Sequence, residues 1–321
     1  SPTGILILPI MLPLKLQILL FYIHQVKKAD FSHLKPSSVR KANAKAWKME
    51  KRVAEYKSPS LHSIDDLEIT VRDGAQIPIR VYKPSETENL KTIVYYHGGG
   101  FVLRNIDSHD DLCRRLAQKC YALVISVGYR LAPEHKFPIP VYDCYDALNW
   151  VAENCADWGG NPNELIVMGD SAGGNLATAV SLMARDENRP TISKQVLIYP
   201  CLDARLIYPS IDTFKDGYLL TKDLMKWFVN HYASAPEDVL NPLMSPLLAK
   251  NLSNLPKAFV STSDHDPLKD EGKDYYRKLS EAGNKAVFKE YENTIHGFAS
   301  MPRITKQANV LVDDVAAFLA G

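Results

Sequence analysis

A serine lies between two glycines in the string Gly169-Asp170-Ser171-Ala172-Gly173, which fits the pattern G-x-S-x-G. The string follows an apolar run typical of a strand and precedes a helical pattern. In that context it forms a tight turn that exposes the serine Oγ. The backbone N–H of Ala172 then lies at a helix start, where amides face developing negative charge. We interpret Ser171 as a nucleophile, and the alternative is a tight turn without a chemical role.

Three glycines follow His97 directly after an apolar run at 92–96, giving His97-Gly98-Gly99-Gly100. Glycines let the backbone lie against a substrate carbonyl with its N–H groups exposed. This string predicts a second source of amides for an oxyanion in acyl transfer. The alternatives are a phosphate-binding loop or a plain turn. The glycine patterns G-x-G-x-x-G and G-K-[ST] of nucleotide-binding loops are absent from this stretch.

A nucleophilic serine needs a base, and among nine histidines only His231, His265 and His296 follow Ser171. Where a serine lies on such a turn, the acid and then the histidine follow it along the chain. His296 is placed in a loop just after the last predicted strand. It is the predicted base.

The acid must precede His296 at another strand end, and the string 261–272 offers Asp264, Asp266 and Asp270. Asp266 precedes a proline in the predicted loop before a helix, and we expect it to be the acid. Asp270 is expected to cap that helix, and Asp264 to be a hydrogen-bonding loop residue. His265 is adjacent to Asp266 and is not expected to face it.

The elements that must position these residues alternate along the chain. Two runs with period-2 alternation surround Asp73-Gly74 and predict a β-hairpin. Short unbroken apolar runs are typical of buried parallel strands, and helical patterns lie between them. The predicted strands are 92–97, 122–127, 164–169, 194–199, 257–262 and 285–291, and the predicted helices are 108–119, 141–155, 173–185, 221–232, 270–282 and 307–319.

The first 25 residues are very apolar, but Pro9, Pro13, Lys15 and Gln17 interrupt the stretch 4–23. We expect helical pieces that cover apolar surface within the protein. An interfacial membrane contact and a membrane anchor are the alternatives. The basic run 40–52 is interpreted as a solvated helix face, with an interfacial helix on anionic lipid as the alternative.

Composition excludes two classes of protein. The 321 residues contain 38 Lys and Arg against 37 Asp and Glu, a net charge of +1. This balance argues against a broad nucleic-acid surface. A hydrophobic content of 46% argues against a disordered chain. Five cysteines without a C-x-x-C pair match neither a disulfide framework nor a zinc site, and predict a reducing, cytoplasmic location.

These motifs together resemble the hormone-sensitive-lipase-like family of α/β-hydrolase carboxylesterases. The matching strings are HGGG (97–100), YRLAPEH (129–135), GDSAGGN (169–175), DPLKDEG (266–272) and IHGF (295–298). The resemblance covers residues 65–320 and implies an α/β fold with a mostly parallel sheet of about eight strands. It also implies a helical cap made of residues 1–55 and 203–245, around core segments 56–202 and 246–321.

By this resemblance Ser171 is the nucleophile, Asp266 the acid and His296 the base of a serine carboxylesterase. It also implies that Gly99, Gly100 and Ala172 donate to the oxyanion. His97, Gly98 and Asp170 are supporting residues, and neither a metal nor an organic cofactor is implied. Two positions depart from the family pattern: Arg104 stands where a glycine is frequent, and Gly128 stands where an aspartate is usual.

The expected partner is a small-molecule ester of short to medium chain length, without nucleic acid. A membrane surface contacted by the N-terminal segment and a homodimer are further partner hypotheses. The rival functions are an amidase or deacetylase, a membrane-surface lipid hydrolase, and a non-catalytic small-ligand receptor. Receptors on this fold tend to lose the base, so the presence of His296 favours an enzyme.

Overall fold

A single mixed sheet of eight strands forms the centre of the computed structural model, which describes residues 12–26, 34–42 and 58–321. The strands are β1 Ser63–Thr70, β2 Gln76–Lys83, β3 Leu90–Tyr96, β4 Leu123–Val127, β5 Gly160–Asp170, β6 Ile192–Ile198, β7 Lys257–His265 and β8 Ala286–Ile295. Their order is β1-β2-β4-β3-β5-β6-β7-β8. The predicted hairpin is β1 and β2, and these two strands supply the antiparallel pairings. The α/β fold with a mostly parallel, eight-stranded sheet is therefore confirmed.

Helices lie on both faces of the sheet. They are α1 Leu14–Val26, α2 at 36–42, α3 Asp110–Cys120, α4 Ile139–Asn154, α5 Ala172–Glu187, α6 Pro209–Thr213, α7 Lys222–Tyr232, α8 Lys269–Glu281 and α9 Gln307–Ala320. Short 3-10 turns connect several of them.

The pleat of β3 shows why the central strands are unbroken apolar runs. Ile93 and Tyr95 point into the core beneath α3 and α9, whereas Val94 and Tyr96 point into the opposite core beneath α4 and α5. Successive side chains of a strand face opposite sides of a sheet. A strand covered on both sides must therefore be apolar at every position.

The stretch 203–245 adds a layer above the carboxyl ends of the strands, where α6 and α7 lie. Helix α7 begins after Thr221, whose side-chain oxygen accepts the Leu224 N–H at 3.2 Å and so satisfies one unpaired amide of the first turn. Met225 and Trp227 of α7 are buried.

Helix α1 lies beside this layer. Leu16 and Leu20 are fully buried against Ile295, together with Tyr218 and Leu219 of the stretch 203–245. Much of the predicted N-terminal pattern, namely residues 1–11, 27–33 and 43–57, lies outside the described residues. None of the helices in the described ranges has the length and the apolar run needed to cross a bilayer.

Two details of the sequence-based assignment are wrong. Strands β7 and β8 extend further than predicted, so Asp264 lies on β7 rather than in a loop. Asp270 does not cap α8, because the helix begins after Leu268 without a side-chain cap. The Asp270 carboxylate instead accepts the Ser210 N–H at 2.9 Å and links α6 to α8.

Candidate active site

Ser171 occupies the turn between β5 and α5 with a φ of +56°. This is a conformation that few side chains adopt, and it turns the serine out of the regular strand and helix. A Cβ on Gly173 would collide with the Tyr96 carbonyl oxygen, so the following helix can approach β3 only with glycine there. The Ser171 N–H donates to the Ile198 carbonyl at 2.9 Å and fixes the turn to β6.

A continuous hydrogen-bonded chain joins Ser171 to the other two predicted residues. His296 Nε2 lies 2.8 Å from Ser171 Oγ, and His296 Nδ1 lies 2.7 Å from Asp266 Oδ2. Asp266 is fully buried, and His296 is 8% exposed. The geometry is that of a nucleophile, a base in contact with it, and a carboxylate that fixes the imidazole orientation.

The loops that carry the acid and the histidine are held by backbone contacts. Asp266 Oδ1 accepts the Leu268 N–H at 2.9 Å, which orients the carboxylate. The Asp264 carboxylate accepts the N–H groups of Asn293 and Thr294 at 2.7 and 2.9 Å, just before His296.

Asp264 also contacts His265, which does not join the chain of hydrogen bonds to Ser171. The His265 ring lies beside Phe214 and Tyr218, and its Nδ1 is 2.8 Å from Asp264. Burial acts to raise the pKa of Asp264, but the His265 contact and the two backbone N–H groups bring this pKa below its usual range. Asp264 therefore stays ionised and holds the segment leading to His296.

The glycine loop faces Ser171 from the end of β3. Gly99 and Gly100 have φ values of +126° and +61°, and a Cβ would meet the Leu103 carbonyl at the first and the Phe228 ring at the second. Glycine is therefore required at both positions. Ala172 is the first residue of α5, so its N–H has no partner within the helix. These three amides lie on the two segments from which an oxyanion site can be built.

Asp170 ties the two segments together. Its buried carboxylate accepts the Gly98 N–H at 2.9 Å and the Tyr95 hydroxyl at 2.7 Å, and lies 3.1 Å from His109 Nε2. Burial acts to raise the pKa of Asp170, but the His109 contact and the other two donors move this pKa well below its usual range. The carboxylate is therefore ionised at neutral pH.

His97 supports the same loop from below. Its Nδ1 lies 2.8 Å from the Gly98 carbonyl, and its ring stacks on Tyr129 at 4.3 Å. Burial, together with the nearby His109, lowers the pKa of His97 to about 3. The ring is therefore neutral, and Nδ1–H donates to the Gly98 carbonyl.

The two departures from the family pattern lie close to this loop. Arg104 has a φ of +69°, the left-handed conformation that a glycine adopts more easily. At Gly128 a Cβ would lie 2.7 Å from Pro78 Cγ, and the Gly128 N–H donates to the Pro78 carbonyl at 2.8 Å. The close approach of Pro78 leaves no room for a side chain at position 128.

An apolar cavity of about 40 Å³ opens beside Ser171. Its walls come from the turn after β6 and from the layer 203–245 above the sheet. They include Cys201, Leu206, Met225 and Phe228.

Residues 93–300 match the model of a family described as having the alpha/beta hydrolase fold. The chain belongs to this family. It is 38% identical over 248 residues to an arylesterase of Saccharolobus solfataricus, which covers 77% of this chain and 80% of the relative. It is 39% identical over 250 residues to an ethyl acetate hydrolase of Pseudomonas putida, which covers 77% and 79%.

A solved structure supports the same assignment over nearly the whole chain. An esterase from the archaeon Pyrobaculum calidifontis superimposes with a TM-score of 0.91 at 41% identity, covering 96% of this chain and 98% of that one. The predicted membership of the hormone-sensitive-lipase-like carboxylesterases is confirmed. The class of carboxylic ester hydrolase is confirmed with it.

The structure also places residues near the site that the sequence did not reveal. His109 precedes α3 and contacts Asp170, and Phe228 of α7 lies over Gly100. Neither residue belongs to a spacing pattern that links it to Ser171, so no local signal identified them.

Proposed function

We propose that this chain hydrolyses carboxylic esters of short to medium acyl chains through a Ser171–His296–Asp266 triad and an acyl-enzyme. The hydrogen-bonded chain from Ser171 Oγ through the His296 ring to Asp266 is the observation that carries the proposal. We also propose that residues 1–55 and 203–245 form the cap over this site.

In the first half-reaction, His296 Nε2 takes the proton of Ser171 Oγ as that oxygen attacks the ester carbonyl carbon. The Asp266 carboxylate accepts a hydrogen bond from the His296 Nδ1–H. This bond orients the ring and stabilises the imidazolium that forms. The negative charge on the carbonyl oxygen is stabilised by the amides of Gly99, Gly100 and Ala172. The C–O bond then breaks, and the alcohol leaves with the proton from His296.

In the second half-reaction, water attacks the acyl-serine and gives its proton to His296 Nε2. The tetrahedral intermediate collapses, the carboxylic acid leaves, and Ser171 regains its proton. The apolar cavity beside Ser171 is the space into which the acyl group would extend.

The test is hydrolysis of p-nitrophenyl acetate, butyrate and octanoate by the full chain and by Ser171→Ala and His296→Ala. Each variant should lose roughly 10⁴-fold or more in kcat, and the double variant should lose little beyond either, because the two residues act as one unit. Ser280→Ala, an exposed serine on α8, is the matched control. Wild-type activity in Ser171→Ala, or additive losses in the double variant, would contradict the mechanism.

A further inference from the structure

Helix α1 has one face directed into the protein and one face directed away from it. Leu16 and Leu20 are fully buried, and they pack against Ile295, the residue before His296. This inner face attaches α1 to the segment that carries the candidate base. It accounts for only part of the apolar surface of the helix.

The outer face carries Leu14, Ile18 and Phe21, whose exposed fractions are 71%, 60% and 56%. Their spacing of four and three residues places them in one stripe along the helix. Lys15 and Gln17 are the polar residues among positions 14–21. A contiguous exposed apolar stripe of this kind marks an interaction surface rather than ordinary solvent contact.

The charge of the chain is distributed unevenly along the sequence. Residues 1–49 contain eight Lys and Arg against one Asp, which leaves 30 against 36 acidic residues in 50–321. The near-neutral net charge is therefore the sum of a cationic segment, residues 1–49, and an acidic remainder, residues 50–321. In the described part of this segment, Lys15, Lys35 and Lys41 are exposed, and Lys15 Nζ also donates to the Arg303 carbonyl at 3.2 Å. An apolar stripe on a cationic segment matches an anionic lipid interface, whereas two such segments would repel each other in a dimer.

We propose that the outer face of α1 binds the surface of anionic phospholipid bilayers. Leu14, Ile18 and Phe21 enter the boundary between headgroups and acyl chains, and lysines of the cationic segment 1–49 contact the anionic headgroups. Both the apolar insertion and the electrostatic attraction are needed, since a short apolar stripe alone holds a protein to a bilayer only weakly. Because the inner face of α1 contacts Ile295, binding attaches the protein to the bilayer through a helix that packs against the residue before His296.

The test is co-sedimentation of the full chain with two kinds of vesicle, phosphatidylcholine alone and an equimolar mixture of phosphatidylcholine and phosphatidylserine. The double variant Ile18→Gln/Phe21→Gln removes two of the three apolar side chains of the stripe. The matched control Leu240→Gln/Val287→Gln removes two exposed apolar side chains that lie outside the α1 cluster. Hydrolysis of soluble p-nitrophenyl acetate is measured for each protein.

We expect binding to the mixed vesicles and little binding to phosphatidylcholine. We expect a partition coefficient at least about tenfold lower for Ile18→Gln/Phe21→Gln, and weaker binding at high salt. The control should bind like the native chain, and all three proteins should keep their soluble-ester activity. If the native chain did not hydrolyse p-nitrophenyl acetate, the proposed function would be contradicted, whereas the lipid proposal would still be decided by the vesicle binding.

Three outcomes would overturn the lipid proposal. The first is no binding to either vesicle. The second is equal binding to both, since anionic headgroups then contribute nothing. The third is a dimer of the native chain that Ile18→Gln/Phe21→Gln dissociates, since a second copy then covers the stripe.

Discussion

The carboxylate of Asp170 accepts the backbone N–H of Gly98 at 2.9 Å, across 72 positions of sequence. Asp170 immediately precedes the candidate nucleophile, and Gly98 immediately precedes the candidate oxyanion donors Gly99 and Gly100. This hydrogen bond therefore helps to hold the turn that carries the candidate nucleophile next to the loop that carries the candidate oxyanion donors. Errors of about 1 Å in such positioning can cost about 10²-fold in rate.

Removing this link should lower kcat without a matching rise in KM. Asp170→Ala deletes the acceptor, and we expect kcat to fall by about 10- to 100-fold, because oxyanion donors act mainly in the transition state. Asp170→Asn keeps an oxygen acceptor and should restore most of kcat. Steady-state kinetics with p-nitrophenyl butyrate, after circular dichroism to verify folding, would measure both.

Tyr95→Phe is the control for this prediction, since it removes another donor to the same carboxylate and leaves the loop in place. Its kcat should stay close to that of the native chain. If Asp170→Asn were as impaired as Asp170→Ala, the negative charge rather than the hydrogen bond to Gly98 would be the important property.

The contact between His109 and Asp170 should also contribute to the free energy of unfolding. Both side chains are buried, so His109→Leu removes one of the three hydrogen-bonding partners of the Asp170 carboxylate, at a cost of about 1–3 kcal/mol in the free energy of unfolding. His109→Leu/Asp170→Asn removes both groups and should cost less than the sum of the single variants. Urea denaturation of the four proteins forms the double-mutant cycle, and strict additivity would exclude a direct interaction.

The residues that could be predicted from sequence are those whose signal is local. Ser171 is marked by its two glycines, and β3 by an unbroken apolar run, because a tight turn and a doubly covered strand each restrict neighbouring residues. His109 could not be predicted, since its contact with Asp170 depends on how α3 packs against the sheet. The position of Asp270 at a helix start predicts a cap, but its carboxylate accepts the N–H of Ser210, 60 residues earlier in the chain.

The glycine loop and the cap meet where Phe228 lies over Gly100, and this contact should limit acyl length. Phe228 also lines the cavity beside Ser171. Phe228→Ala removes the ring and enlarges the cavity, so longer acyl chains gain both space and apolar contact. We expect kcat/KM to rise for p-nitrophenyl octanoate relative to acetate by about tenfold, since a few buried CH₂ groups supply such a difference.

The control for acyl length is Phe214→Ala, a partly exposed aromatic residue of the stretch 203–245 that does not line this cavity. Its ratio of octanoate to acetate hydrolysis should match the native ratio. An unchanged ratio in Phe228→Ala would show that the acyl chain lies elsewhere.

A buried carboxyl group that takes no part in the proposed chemistry should govern the pH dependence of stability. Glu271 of α8 is fully buried, and its Oε1 accepts the Leu202 N–H at 2.5 Å. Within the described residues, its Oε2 has no hydrogen-bond partner. Burial raises the pKa of Glu271 well above its usual value of 4.5, and the nearby carboxylates of Asp203 and Asp266 act in the same direction.

The sign of the effect follows from proton counts. Above pH 4.5 the unfolded chain releases the Glu271 proton, whereas the folded chain keeps it until its own higher pKa is reached. The folded state therefore binds more protons, and the free energy of unfolding falls as pH rises through this window, by up to about 1.4 kcal/mol per pH unit. Glu271→Gln has no such proton, so its free energy of unfolding relative to the native chain should increase as the pH rises above 4.5. Urea denaturation at several pH values measures this difference, with Glu237→Gln, an exposed glutamate, as the control that should show no trend. A difference between Glu271→Gln and the native chain that stays constant with pH would mean that Glu271 is ionised in the folded protein.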